Sequence, residues 1–169
     1  MSTSERRTSV RTGVVWDAVV ARLEPNARVV DIGGGTGGFA VRLAREGHAV
    51  TVVDPSPDAL AALARRADEA GVAGLVTGVQ GDLTDIGTHV APASADVVLC
   101  HGVLEVVPDP AAALRTITGV LREGGLLSLL VAQRHAAVVA RAMAGHFQQA
   151  LALLMDRPDD PAAGRRGGP

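Results

Sequence analysis

The sequence predicts an α/β protein: a doubly wound, mostly parallel sheet with helices on both faces. Three observations predict it. Short β-branched runs recur along the chain and alternate with stretches of helical apolar spacing. Those runs are apolar throughout, as strands covered on both faces are. A burst of glycines follows the first run, where an open α/β sheet turns from strand into helix. The chain has 169 residues, 47% of them apolar and only 2% aromatic, so one domain with an aliphatic core is expected.

The elements follow in order. Residues 1–11 are polar and are expected to form a flexible N-terminal segment ahead of a single domain over 12–156. Val14, Val15, Val19 and Leu23 have the spacing of a short helix. Arg28 to Ile32 reads as the first strand, and Gly38 to Glu46 as a helix closed by Gly47. Ala49 to Val53 is the second strand. Pro57 to Ala70 is an alanine-rich helix, with Ser56 as its cap and Pro57 at its first position. Leu75 to Gln80, Asp96 to Cys100 and Leu126 to Val131 supply three more strands, with a helix from Pro110 to Leu121 before the last. His135 to Met155 predicts one further helix, and residues 157–169, RPDDPAAGRRGGP, a disordered tail.

Composition excludes several functions. A net charge of −2 and a pI near 6.2 do not describe a strongly basic nucleic-acid grip, although every one of the 16 basic residues is arginine. Cys100 is the sole cysteine, which fits a reducing compartment, and the residue reads as a small buried apolar group. The N-terminus lacks the apolar core of a secretory signal, and no run approaches the ~18 apolar residues of a membrane span. A cytoplasmic protein without membrane association is expected. His48, His89 and His146 have no metal-ligand spacing among themselves or with Cys100, so no metal is expected.

The chemistry concentrates in VVDIGGGTGGFAV, residues 29–41. Gly33, Gly35 and Gly38 satisfy the dinucleotide pattern G-x-G-x-x-G, while Asp31, Gly33, Gly35 and Gly37 satisfy D-x-G-x-G-x-G. Both ligand classes want an acid about 20 residues later to hold a ribose, and Asp54 supplies it. Asp31 separates the two. A carboxylate at the strand tip repels a pyrophosphate but attracts an ammonium or a sulfonium. Gly81-Asp82 ends the third strand, and His101 follows the fourth, both at the sheet edge where this architecture binds ligands.

With these residues in view, the sequence resembles the class I S-adenosylmethionine-dependent methyltransferases, and most closely the subgroup that contains the tRNA 5-carboxymethoxyuridine methyltransferase. VVDIGGGTGG, VVDPSPDAL, GVQGD, LCHGVLEVVPDPAAAL, LREGGLLSLLVAQRH and AGHF carry the resemblance, together with Arg11 and Trp16. It implies a Rossmann-like fold and S-adenosyl-L-methionine as cofactor. It also implies roles: Arg11 on the methionine carboxylate; Gly33, Gly34 and Gly35 under the methionine portion; Asp54 on the ribose; Asp82 and Leu83 beside the adenine; His101 next to the methionine end; Asp31, by its charge, and Pro55 are expected in the same cofactor site. The last two strands usual in the family have no counterpart here. An unpaired apolar edge strand invites self-association, so a homodimer is expected.

Methyl transfer is an in-line displacement at an activated carbon, so alignment and exclusion of water are the protein's main tasks. The resemblance implies an oxygen acceptor, a carboxylate in that subgroup, carried by tRNA or by a small molecule. A carboxylate needs no base, whereas a hydroxyl or phenol acceptor calls for one, and His101 is the residue placed to orient the acceptor or act as base. Two other readings stand beside this one. The first is a truncated, inactive domain that binds cofactor or a partner chain, and the second is an NAD-dependent oxidoreductase.

Overall fold

The computed structural model describes residues 3–143 and 145–155, with side chains over residues 12–155 except those of 134, 140 and 144. The side chain of Arg11 and the expected tail at 157–169 lie outside the described residues. The chain divides into two compact units, Met1–Val131 and Ala132–Pro169.

The first unit holds α1 (Thr3–Val20), β1 (Arg28–Ile32), α2 (Ala40–Arg45), β2 (Ala49–Asp54), α3 (Pro57–Glu69), β3 (Val76–Gln80), α4 (Ile86–His89), β4 (Ala95–His101), α5 (Pro110–Val120) and β5 (Leu121–Leu130). The five strands form one parallel sheet in the order β3-β2-β1-β4-β5. The chain winds outward from β1 to β3 and then returns to place β4 on the other side of β1. Strand order therefore reverses between β1 and β4, and a ligand crevice opens outside the carboxyl ends there.

Period-two alternation distributes the central strands between two cores. Val29, Val50, Val52, Val97 and Leu99 face α1, α2 and α3, packing with Trp16, Val19, Leu43 and Leu63. Val30, Ile32, Val53, Val98 and Cys100 face the opposite side, with Ile86, Ala113 and Ile117. At the end of the sheet away from the crevice, Asp96 accepts from the Arg28 N–H at 2.7 Å and from Arg122 Nε at 2.6 Å, tying three strands together. Burial alone would raise the Asp96 carboxyl, but hydrogen bonds from the backbone and guanidinium of Arg28 and from Arg122 hold it at about 2.

Several expectations are met closely. β1 has the expected limits, Ser56 Oγ accepts from the Ala59 N–H at 3.2 Å, and Pro57 opens α3. Others need correction. The first helix starts at Thr3, well before Val14, and ends at Val20. Among its described side chains Trp16 and Val19 are buried, while Val14 is 66% exposed. β3 is not buried on both faces: as an edge strand, it leaves Thr77, Gly78 and Gln80 exposed. β5 reaches back to Leu121 across a register break opposite Ala95/Val97, near Gly124 and Gly125.

In the second unit the single helix expected over His135 to Met155 is two helices, α6 (Arg134–Met143) and α7 (Phe147–Met155). Gly145 stops the first: its φ is +81°, its N–H donates to the Ala142 carbonyl, and the His146 N–H reaches back to Arg141. Helical apolar spacing continues through this stop, so periodicity alone hid it. Among the described residues, no helix is long and apolar enough to cross a membrane.

Candidate functional site

A cavity of about 400 Å³ opens at the carboxyl ends of β1, β2 and β4, within the first unit. Gly33, Asp54, Pro55, Asp82, Leu83 and His101 all line it, so six of the residues singled out in the sequence converge on one space. Val103, Val106, Val107 and Pro108, from the segment after β4, complete an apolar wall. Asp31, Gly34 and Gly35 do not line it.

The glycine loop owes its shape to two close approaches. Gly33 sits at φ +68°, and a Cβ there would lie 2.7 Å from Val103 Cγ2, so a side chain would close the cavity mouth. A Cβ on Gly34 would lie 2.5 Å from Asp31 Oδ2 and 2.9 Å from Val52 Cγ1. Asp54 then fixes the loop to the sheet. Its Oδ2 accepts from the Gly35 N–H at 2.8 Å, and its Oδ1 accepts from the Ser56 N–H at 2.9 Å. Each carboxylate oxygen retains acceptor capacity for a further donor.

Asp31 is placed differently from its sequence neighbours. Strand alternation turns it toward the α1–α3 side, beside Val52 and beneath Gly34, and leaves it only 5% exposed. Burial, and next the negative charge of Asp54, push its carboxyl up from 3.8 to about 7. A group in that state is starved of positive charge. It would welcome a cation bound above the loop and would resist an anion there.

The 81–85 turn presents Asp82 outward. Asp82 Oδ1 accepts from the Thr84 N–H at 2.7 Å and from the Thr84 hydroxyl at 2.5 Å, and the Asp82 N–H donates to Asp85 Oδ1 at 2.8 Å. The two Thr84 bonds hold its carboxyl below the usual range, so it is ionised at neutral pH. Leu83 is buried beside it.

His101 ends β4 with its ring half-buried. Its Nε2 lies 2.9 Å from Ser128 Oγ on β5, and Phe39 packs against it in a T-shaped arrangement with centroids 5.4 Å apart. Burial lowers its pKa, so the ring is neutral at pH 7. Phe39 in turn meets Trp16 at 5.8 Å, and the Arg42 guanidinium covers Trp16 at 3.6 Å. Ser128, Phe39 and Thr84 were not singled out from the sequence. The available signal for Ser128 was a lone hydroxyl in the otherwise apolar LLSLL. Among the described residues, no group of three or more His, Cys, Asp or Glu side chains gathers as metal ligands would.

With this geometry in place, comparison with known proteins is informative. A family profile described as "Methyltransferase domain" matches residues 30–129. The chain is 33% identical over 166 residues to the tRNA 5-carboxymethoxyuridine methyltransferase of Escherichia coli K12, covering 90% of this chain and 63% of that protein. It is 39% identical over 133 residues to the ubiquinone biosynthesis O-methyltransferase of Xanthomonas axonopodis pv. citri, covering 75% of this chain and 52% of the relative. Among solved structures, a SAM-dependent methyltransferase from Geobacter sulfurreducens, crystallised in complex with S-adenosyl-L-homocysteine, superposes with a TM-score of 0.57 at 33% identity. That match covers 67% of this chain and 45% of the other. The chain thus spans less than two thirds of the length of these relatives.

Proposed function

The chain belongs to the methyltransferase domain family, and from that premise we propose that it is an S-adenosylmethionine-dependent methyltransferase acting on an oxygen acceptor. The observation that carries the proposal is the convergence of Gly33, Asp54, Asp82, Leu83 and His101 on one cavity at the strand-order reversal. The residues present fit the cofactor. A bare-backbone cradle that a Cβ would fill, a buried acid pushed up for want of a counter-charge, and a second carboxylate with acceptor capacity suit a cationic amino acid joined to a ribose. They do not suit a diphosphate, which would meet Asp31 and Asp54 at the loop.

When bound, S-adenosylmethionine supplies a methyl group on a positively charged sulfur, ready for in-line displacement. Asp54 would hold the ribose hydroxyls while keeping the Gly35 N–H in place, and Asp82 with Leu83 would receive the adenine. Asp31 stabilises positive charge above the loop through its field. The apolar wall of Val103, Val106 and Val107 keeps water from the reacting atoms. His101, neutral at pH 7, orients the acceptor, and for a hydroxyl acceptor it accepts the departing proton at a ring nitrogen.

Two acceptor classes remain in competition. A tRNA acceptor bearing a carboxylate rests on similarity to the Escherichia coli tRNA 5-carboxymethoxyuridine methyltransferase. A small-molecule hydroxyl is favoured by the neutral His101 beside an apolar wall. Titration with S-adenosylhomocysteine and with NAD tests the cofactor. At 100 times its dissociation constant the correct ligand raises stability by about 2.7 kcal/mol, and stabilisation by NAD alone would overturn the reading. Labelled methyl from S-adenosylmethionine, offered bulk tRNA or a small-molecule extract, identifies the acceptor pool. Cofactor binding with no incorporation into either pool would favour an inactive binding domain.

A further inference from the structure

We propose that Ser128 is a positioning residue for His101: its hydroxyl, reaching across from β5, holds Nε2, so that the ring stays in the tautomer the pocket favours and Nδ1 is left for the acceptor. The proposal rests on the methyltransferase reading and deepens it, because it names what governs the imidazole that lines the cavity.

The placement is a consequence of sheet register. In the parallel pairing of β4 with β5, Leu99 is the partner of Ser128 and His101 that of Leu130. The imidazole therefore leans back along β4 to meet the hydroxyl, and Nε2 lies 2.9 Å from Oγ. The ring also meets Phe39, with planes inclined at 72°. One hydrogen bond and one aromatic contact thus define both the position and the tilt of the ring. Nδ1 has no protein partner among the described residues, which leaves it as the nitrogen for a ligand in the cavity that His101 lines.

The chemistry requires this control. A neutral imidazole carries a single N–H, so one nitrogen donates and the other accepts. An untethered ring exchanges between tautomers, and only one of them presents an acceptor nitrogen to a substrate proton. A hydroxyl can donate or accept, so its own turn matches whichever tautomer the pocket favours. Once it is matched, exchange requires breaking a part-buried hydrogen bond. Ser128 sits in LLSLL, where packing alone would take another aliphatic residue. A lone hydroxyl there calls for a partner, and His101 is the partner found.

The test compares the wild-type protein with Ser128→Ala and Ser128→Thr by long-range 1H–15N spectra of the histidine ring, which report each tautomer directly. The wild type and the threonine variant are expected to show one His101 tautomer, and the alanine variant a mixture. In labelled methyl transfer to the responding pool, Ser128→Ala is expected to lose turnover by up to about 100-fold. Its affinity for S-adenosylhomocysteine should change less than threefold, and threonine should restore turnover. If the alanine variant fails to fold, Ser128→Cys, which keeps the volume and weakens the hydrogen bond, takes its place. An unchanged single tautomer in Ser128→Ala, or in Ser128→Cys where that takes its place, overturns the proposal, as does failure of threonine to restore turnover. If the wild type binds no S-adenosylhomocysteine while the tautomer shift persists, the methyltransferase reading falls and the Ser128–His101 coupling stands.

Discussion

Replacing Asp31 with Asn should stabilise the protein increasingly as pH rises. The wild-type carboxyl is pushed from 3.8 to about 7, first by burial and then by the charge of Asp54. Between those values the folded chain holds a proton that the unfolded chain has released. Wild-type stability therefore falls as pH climbs through that window, the reverse of the usual behaviour of a salt-bridged acid. At about 1.4 kcal/mol for each pH unit, the whole window corresponds to about 4 kcal/mol, and the part between pH 4.5 and 8.5 to about 3 kcal/mol. Asn has nearly the same shape, so Gly34 and Val52 need not move, but it does not ionise.

The absolute offset depends on how well the new amide is hydrogen-bonded, which costs about 1–3 kcal/mol if it is not. The pH dependence does not share that uncertainty, so it is the quantity to measure. Thermal melts of both proteins from pH 4.5 to 8.5 should diverge in favour of the variant. For a chain of this size 1 kcal/mol moves Tm by about 2–4 °C, so the divergence approaches about 10 °C. The ligand response should run the other way. A cation bound above the loop draws Asp31 toward ionisation and releases its proton. Calorimetry with S-adenosylmethionine, which carries the sulfonium as well as the ammonium, at pH 6.5 in buffers of differing ionisation enthalpy should detect proton release from the wild type and little from the variant. A Tm difference that is flat with pH, or that turns against Asn as pH rises, would refute the argument that Asp31 is a buried, charge-starved acid.

Three further outcomes follow. Gly33→Ala places a Cβ 2.7 Å from Val103 Cγ2 at φ +68°; it should cost about 1–2 kcal/mol in denaturant unfolding and weaken S-adenosylhomocysteine binding at least tenfold. Asp54→Asn faces two backbone N–H donors with only one acceptor oxygen, so it should cost about 1–3 kcal/mol, and amide exchange at Gly35 or Ser56 should accelerate. Leu63→Ala removes a fully buried side chain from the α3 face of the sheet and should lower unfolding stability by about 2–5 kcal/mol while leaving the His101 tautomer unchanged.

What was legible in the sequence is what local pattern determines. The acid ending β2, the glycines after β1 and the Ser56 cap are each set by strand ends and turn chemistry, and all three appear where expected. Ser128 was not legible as a site residue because its meaning depends on the pairing of β4 with β5, and register is a property of two strands rather than one. The stop at Gly145 was hidden because the apolar spacing runs through it, and only the backbone conformation reveals the break. Asp31 is the instructive case, since alternation along β1 is sufficient to place it. Counting from Val29, whose side chain faces α1–α3, puts Asp31 on that same face and Ile32 on the other. Asp31 therefore lies beneath the cradle and not inside the cavity. It can act on a ligand through its field without touching it, and a field acting across a poorly solvated gap requires a charge that depends on pH. The residue that distinguished a cation from a pyrophosphate in the sequence is thus the one whose protonation should follow cofactor binding.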